Sequence, residues 1–151
     1  MAARVTMVAI RPEADLPAGF GDLRDDARRE GYTHIERLAA DWASGTNRFA
    51  GQGEALVAAF MAARLAGVGG VTLDPIDPAA LRMRRFYVRP HCRGQGIGRL
   101  MAEALLVHAR DVTQSIVLNA TTEIAVLFWE ALGFVPDRRD GHTHTLRLSA
   151  G

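Results

Sequence analysis

The chain contains no lysine: all 18 basic residues among its 151 are arginine. A Walker-type phosphate loop needs a lysine after its last glycine, so that nucleotide-binding class is excluded. There is one cysteine, Cys92, so no internal disulfide can form and a reducing, cytoplasmic setting is expected. No apolar run approaches the roughly 20 residues that span a bilayer, and Met1 to Ile10 lacks the pattern of a secretory signal, so no membrane association is expected. Charge of one sign is also lacking, with 18 basic against 17 acidic residues. With 48% hydrophobic residues, that balance argues against disorder and for one folded domain over 1–151.

The balance conceals an asymmetry. After Asp77 no acid occurs until Glu103, and Arg82, Arg84, Arg85, Arg89, Arg93 and Arg99 lie between them. Such a run is either a solvated face or an anion site, because the planar guanidinium fork matches phosphate oxygens. A nucleic-acid surface is not expected, since aromatic residues are not interleaved as stacking platforms.

Helical and extended patterns alternate along the chain. Val5 to Ile10 reads as a strand ended by Arg11-Pro12, and Asp22 to Glu30 as a short charged helix. Thr33-His34-Ile35-Glu36 has the form of a capping box opening a helix over 33–44, with Gly45 as a left-handed stop. Ala55 to Phe60 and Leu65 to Leu73 are strand-like, and Leu81 to Val88 is extended. Leu100, Met101, Ala104, Leu105 and His108 have helical spacing. Ser115 to Leu118 is a short strand, Thr122 to Leu132 a helix stopped by Gly133, and His142 to Leu148 alternates like a strand. The class is mixed α/β.

The informative segment is Phe86-Tyr87-Val88-Arg89-Pro90-His91-Cys92-Arg93-Gly94-Gln95-Gly96-Ile97-Gly98-Arg99, which runs from strand through loop to helix start. Glycines let the backbone approach a ligand. The first N–H groups of a helix have no partner within it, and the helix dipole adds positive charge at that spot. Together with Arg93 and Arg99 this is a pyrophosphate cradle. It is not a dinucleotide fingerprint, because the glycines follow Gly-x-Gly-x-Gly spacing and lie far beyond the first strand.

Arg93-Gly94-Gln95-Gly96-Ile97-Gly98 resembles the Arg/Gln-x-x-Gly-x-Gly/Ala signature of the GNAT superfamily of acyl-CoA N-acyltransferases. Ala125 to Phe134, with Glu130, Gly133 and Phe134, resembles that family's second hallmark, a helix ending in Gly-Phe. The resemblance is strong from Arg82 to Phe134 and topological from Val5 to Leu73. It implies a mostly antiparallel central sheet flanked by helices, splayed in the middle to admit CoA. It also implies acetyl-CoA as acyl donor, held by backbone amides from Gln95 to Arg99. The edge at Phe86, Tyr87 and Val88 would bind the pantetheine arm, joined by Asn119. Phe128 and Trp129 would border the far side with Ala125. Tyr32, Arg82 and Arg84 are candidates for acceptor binding, the arginines suiting an acceptor that bears a carboxylate or phosphate.

Two positions depart from the family pattern. Trp129 stands where a tyrosine commonly acts as general acid, and an indole N–H cannot usefully release a proton near neutrality. Arg82 stands where many members carry a glutamate base. A thiol of pKa about 8.5 leaves at a cost of roughly 2 kcal/mol at neutral pH, whereas freeing an alkyl amine of pKa about 10.4 costs roughly 4–5 kcal/mol. The base therefore matters more, and the catalytic candidates are Glu54, His34 and His144. His142-x-His144 beside Asp140 lacks a third ligand, so no metal is expected. The implied activity is acetyl transfer to a primary amine, on a small molecule or a peptide, by direct attack in a ternary complex. The alternative is a non-catalytic CoA-binding sensor or partner-binding module. Homodimers are common in the family.

Overall fold

The computed structural model describes residues 8–139 and 141–148. Strand β1 (Val8–Pro12) leads into helices α1 (Phe20–Arg29) and α2 (His34–Ser44). Strands β2 (Ala55–Met61), β3 (Arg64–Leu73) and β4 (Ala80–Val88) follow as an antiparallel meander. After a 3-10 turn at Pro90–Cys92 come α3 (Ile97–Arg110), β5 (Ser115–Leu118), α4 (Glu123–Ala131), β6 (Val135–Arg139) and β7 (His142–Arg147). The strands form one seven-stranded sheet in the order β1-β2-β3-β4-β5-β7-β6. Only the β4–β5 pair is parallel, so the sheet is mostly antiparallel and flanked by helices.

Two apolar layers sandwich the sheet. On one face Met101, Leu105 and Leu106 of α3 pack on Val57, Val71, Leu81 and Ile116. On the other, Leu23 of α1 and Ile35, Leu38 and Trp42 of α2 pack on Leu56, Val68 and Tyr87. Burying each large side chain contributes about 1.5–3 kcal/mol, so these two layers hold the helices to the sheet. Glycines in β3 make room for them: a Cβ at Gly67 would lie 2.9 Å from Met101, and one at Gly70 would lie 2.5 Å from Phe49.

Three expectations change. The residues before Val8 lie outside those described, and the first strand runs on through Pro12. Thr33 has a helical backbone (φ −105°, ψ −14°) and makes no side-chain cap hydrogen bond, and the Glu36 carboxylate, instead of reaching back to Thr33, is taken by Arg24 (2.9 and 2.7 Å) and Arg28 (3.2 and 2.7 Å) from α1. The capping box gives way to a link between the two helices, while Gly45 is the left-handed stop (φ 78°). Strand β6, with Pro136 and three charged residues, had no strand pattern; as the edge of the sheet it tolerates both.

Candidate functional site

Strands β4 and β5 pair only over Ala80–Arg82 against Ser115–Val117. Beyond Arg82, β4 keeps β3 as its partner and has no backbone pairing to β5, so its second half presents an open edge. At the end of that edge the chain turns through Arg89-Pro90 into the glycine loop. Gly94 (φ 77°) and Gly96 (φ 80°) are left-handed, and a Cβ on either would meet nothing within 4 Å. Gly96 is the N-terminal cap of α3, with Leu100 N–H donating back to its carbonyl. The amides of Ile97, Gly98 and Arg99 are thus at the partnerless start of a 14-residue helix, beside open space. A pyrophosphate fits this arrangement.

The arginines of the loop are less free than their sequence positions imply. Arg93 makes a two-pronged pair with Glu30 (2.8 and 2.6 Å) and donates to the Val88 carbonyl at 3.0 Å. Glu30 also accepts from the Tyr87 hydroxyl. The Arg93 bond holds the Glu30 carboxyl below the usual range, and burial with the Glu30 contact pushes the Tyr87 phenol up. Arg89 is anchored on Asp26 at 2.6 Å. Arg99 is exposed and pairs with Glu103 one turn on. Gln95 and Asn119 are exposed.

Aromatic residues wall the open edge. Phe86 from β4, Phe128 and Trp129 from α4, and Phe134 after it form a chain of ring contacts at 4.8–5.8 Å. Gly98 sits against this wall, its Cβ position 3.3 Å from Phe128. Trp129 is buried within it.

A β-bulge shapes the centre of β4. Gly70 pairs with Arg84 and Val68 with Tyr87, so Arg85 and Phe86 together stand opposite Gly69. Arg85 carries the strain, with φ 56°. Simple alternation would send Arg85 beneath α3. The bulge instead sends Phe86 to the α3 side and Arg85 to the α2 side, where its guanidinium lies 3.6 Å from Asp41. Gly69 permits this, since a Cβ there would lie 2.6 Å from the Phe86 ring.

His34, at the start of α2, sits over the bulge. Its Nε2 is 3.0 Å from the Phe86 carbonyl, which can only accept, so Nε2 carries the proton and Nδ1 the lone pair. Its ring meets Tyr32 and Tyr87 edge-on at 5.6 and 5.9 Å. Burial lowers its pKa, the Phe86 bond opposes this, and the charges of Arg85 and Arg37 lower it further. The net effect favours the neutral imidazole.

The other candidates lie elsewhere. Glu54 accepts from the amides of Gly51 and Leu73, at the end of the sheet opposite the glycine loop. His144 is buried, with Nε2 2.9 Å from Glu130 and Nδ1 2.7 Å from the Thr143 hydroxyl, so both ring nitrogens are engaged. His142 pairs with Asp137 at 3.2 Å, and Asp140 lies outside the described residues. Arg82 is buried; it bonds Asp74 at 3.0 Å and the Gly141 carbonyl, which commits it to holding the turn after β3. Arg84 is half-buried and donates from Nε to Thr72 at 2.8 Å. The site thus gathers His34, Tyr32, Arg84, Phe86 and Tyr87 around the bulge. Arg85, Arg37, Asp41 and Glu30 join them; in the sequence Arg85 is marked only as a member of the basic run, and the other three carry no site signal.

A sequence profile of the acetyltransferase (GNAT) domain matches residues 23–148. The chain belongs to the GNAT acetyltransferase family. Solved structures agree with the fold. A protein from Exiguobacterium sp. 255-15, named provisionally as an acetyltransferase, superposes with a TM-score of 0.85 at 27% identity, over 95% of both chains. The GNAT family N-acetyltransferase YhbS of Escherichia coli, solved with CoA, gives 0.72 at 16% identity, over 99% of this chain and 86% of that one. A GNAT family acetyltransferase of Brucella melitensis, solved with acetyl-CoA, gives 0.65 at 17% identity, over 95% and 89%. No curated protein sequence matches the chain. Among the described residues, no helix is long and apolar enough to cross a membrane.

Proposed function

We propose that this GNAT protein is an N-acetyltransferase that moves the acetyl group of acetyl-CoA to a primary amine by direct attack. The observation that carries the reading is the open edge of β4, which leads straight into the partnerless amides at the start of α3. The loop amides from Gln95 to Arg99 would take the pyrophosphate, and the edge at Phe86–Val88 the amide-rich arm. Phe128 and Trp129 would close the far wall. A strand amide near Val88 would polarise the thioester carbonyl.

His34 is the base this geometry favours. Its Nε2–H is fixed on the Phe86 carbonyl and its Nδ1 retains a lone pair, so it can accept the proton that the attacking nitrogen loses, directly or through water. The N–C bond forms, the C–S bond breaks, and the thiolate takes a proton from solvent. Glu54 and His144 are held by other partners.

Two measurements test the reading. Calorimetric titration with acetyl-CoA is expected to give micromolar binding; no binding overturns it. Thiol release over a broad amine panel is expected to depend on the amine. Binding without release for any amine favours the CoA-sensing alternative, which the indole of Trp129 in place of an acidic hydroxyl supports.

A further inference from the structure

The bulge brings two consecutive arginines to one face of the sheet. Arg85 reaches Asp41 of α2, whose His34, Arg37 and Asp41 are spaced as one side of a helix, and Arg84 lies beside it on the same face of the sheet, donating from Nε to Thr72. Arg82, on the same face, is neutralised by Asp74. Among the described residues, no carboxylate lies within 4 Å of the guanidinium of Arg84 or Arg37. Asp41 is therefore the sole acid paired within a group of three guanidinium charges. The Nε of Arg85 is buried and has no hydrogen-bond partner. Burial lowers the pKa of both Arg84 and Arg85, and neighbouring arginine charges add to the shift.

A desolvated guanidinium with an unfilled donor is costly unless something anionic fills it. Here the backbone is strained at Arg85 to place one. The group also lies one residue from the Phe86 carbonyl that fixes His34, hence beside the reacting centre of the proposed reaction.

We infer that the acceptor amine carries an anionic group, a carboxylate or a phosphate, which docks on Arg84 and Arg85 beneath α2. Arg37 at the exposed rim adds a third charge, and its position on the surface makes it the entry guide. This rests on the N-acetyltransferase reading above and narrows its acceptor to amines with an anion a few bonds from nitrogen.

The test uses the full chain and two matched pairs of amines, β-alanine against β-alaninamide and phosphoethanolamine against ethanolamine. Rates of CoA release are normalised to the free-base fraction of each amine. At least one anionic member is expected to exceed its neutral partner about tenfold or more in kcat/KM, as one or two charge-assisted hydrogen bonds provide. The pair with the larger ratio tells carboxylate from phosphate. Arg84→Gln and Arg85→Gln are each expected to bring that ratio toward one, mainly through KM. Arg37→Gln, at an exposed position that does not endanger folding, is expected to lower it several-fold. Turnover with no preference in either pair, or a ratio unmoved in all three variants, overturns the inference and leaves the acetyltransferase reading standing. Retained acetyl-CoA binding with no release from any amine overturns that reading and the inference with it.

Discussion

The Nε2 atom of His34 lies 3.0 Å from the carbonyl oxygen of Phe86, joining the first turn of α2 to the bulged residue pair of β4. The bond fixes one tautomer of a neutral imidazole over the open half of β4. Replacing the ring by His34→Gln is expected to lower kcat/KM about 10²- to 10⁴-fold, the span of a lost general base. The wild-type rate is expected to fall on acidification with a midpoint below 6.5, because burial holds the His34 pKa beneath its ordinary value. A pH–rate profile for both proteins checks this, and a wild-type midpoint above 6.5 would contradict the assignment.

Glu36 contributes, with Asp26, Glu30 and Asp137, to the acid side of the stability curve. The Arg24 and Arg28 bonds hold its carboxyl at about 2, against 4.5 for the free group. Its stabilisation is complete above about 4.5 and disappears as the pH falls toward 2, since the unfolded chain binds the proton first. His34 adds to the same slope from about 6.5 downward. Thermal melts from pH 7 to pH 3 are expected to show a steep decline, and Glu36→Gln should flatten its lower part.

Asp74 and Arg82 form a buried pair, with side chains 2% and 10% exposed. Asp74 also accepts from the Asp77 amide, so it organises the turn between β3 and β4. Asp74→Ala is expected to cost about 3–5 kcal/mol in denaturant unfolding, because a charged guanidinium is left without its partner. The double change Asp74→Leu with Arg82→Met should recover much of that loss. A single-variant cost below 1 kcal/mol would rule out the role given to Arg82.

Gly69 and Gly94 should respond differently to alanine. At Gly69 the new methyl would lie 2.6 Å from the Phe86 ring, so the bulge must move. Overpacking of this kind costs about 1–3 kcal/mol, and turnover should fall with it. At Gly94 nothing lies within 4 Å, and the penalty is the left-handed backbone alone, about 1 kcal/mol. Unfolding midpoints and acetyl-CoA affinities separate the two.

With no lysine in the chain, incubation with acetyl-CoA should leave every side-chain amine unmodified, because there is none. Intact-mass and peptide mass spectrometry check this. Cys92 is buried and its pKa raised, chiefly by burial, so it should resist alkylation until the protein unfolds.

What was legible in the sequence was local. The spacing of Gly94, Gly96 and Gly98 announces a helix start, and the structure begins α3 at Ile97 with Gly96 as its cap. Apolar spacing along α2 likewise marks its inner face, whereas along α3 it includes Leu100, which is exposed, and omits the buried Ala102, Leu106 and Ala109. What was hidden depends on partners distant in sequence. The turn of Arg85 toward α2 requires Gly69 across the sheet, and alternation alone points it the other way. Arg82 reads as a member of a basic run, yet Asp74 and the Gly141 carbonyl decide its role. Glu36 has capping-box spacing, but arginines of α1 outbid the backbone for its carboxylate. Strand β6 escaped notice because an edge strand can carry Pro136 and charges that an inner strand cannot.

Glu30 closes α1 and receives both the Tyr87 hydroxyl and the guanidinium of Arg93. One carboxylate thereby ties together the end of α1, the open half of β4 and the first residue of the glycine loop. Losing that carboxylate would free a phenol and a guanidinium together, at the junction of a helix, a strand and a loop.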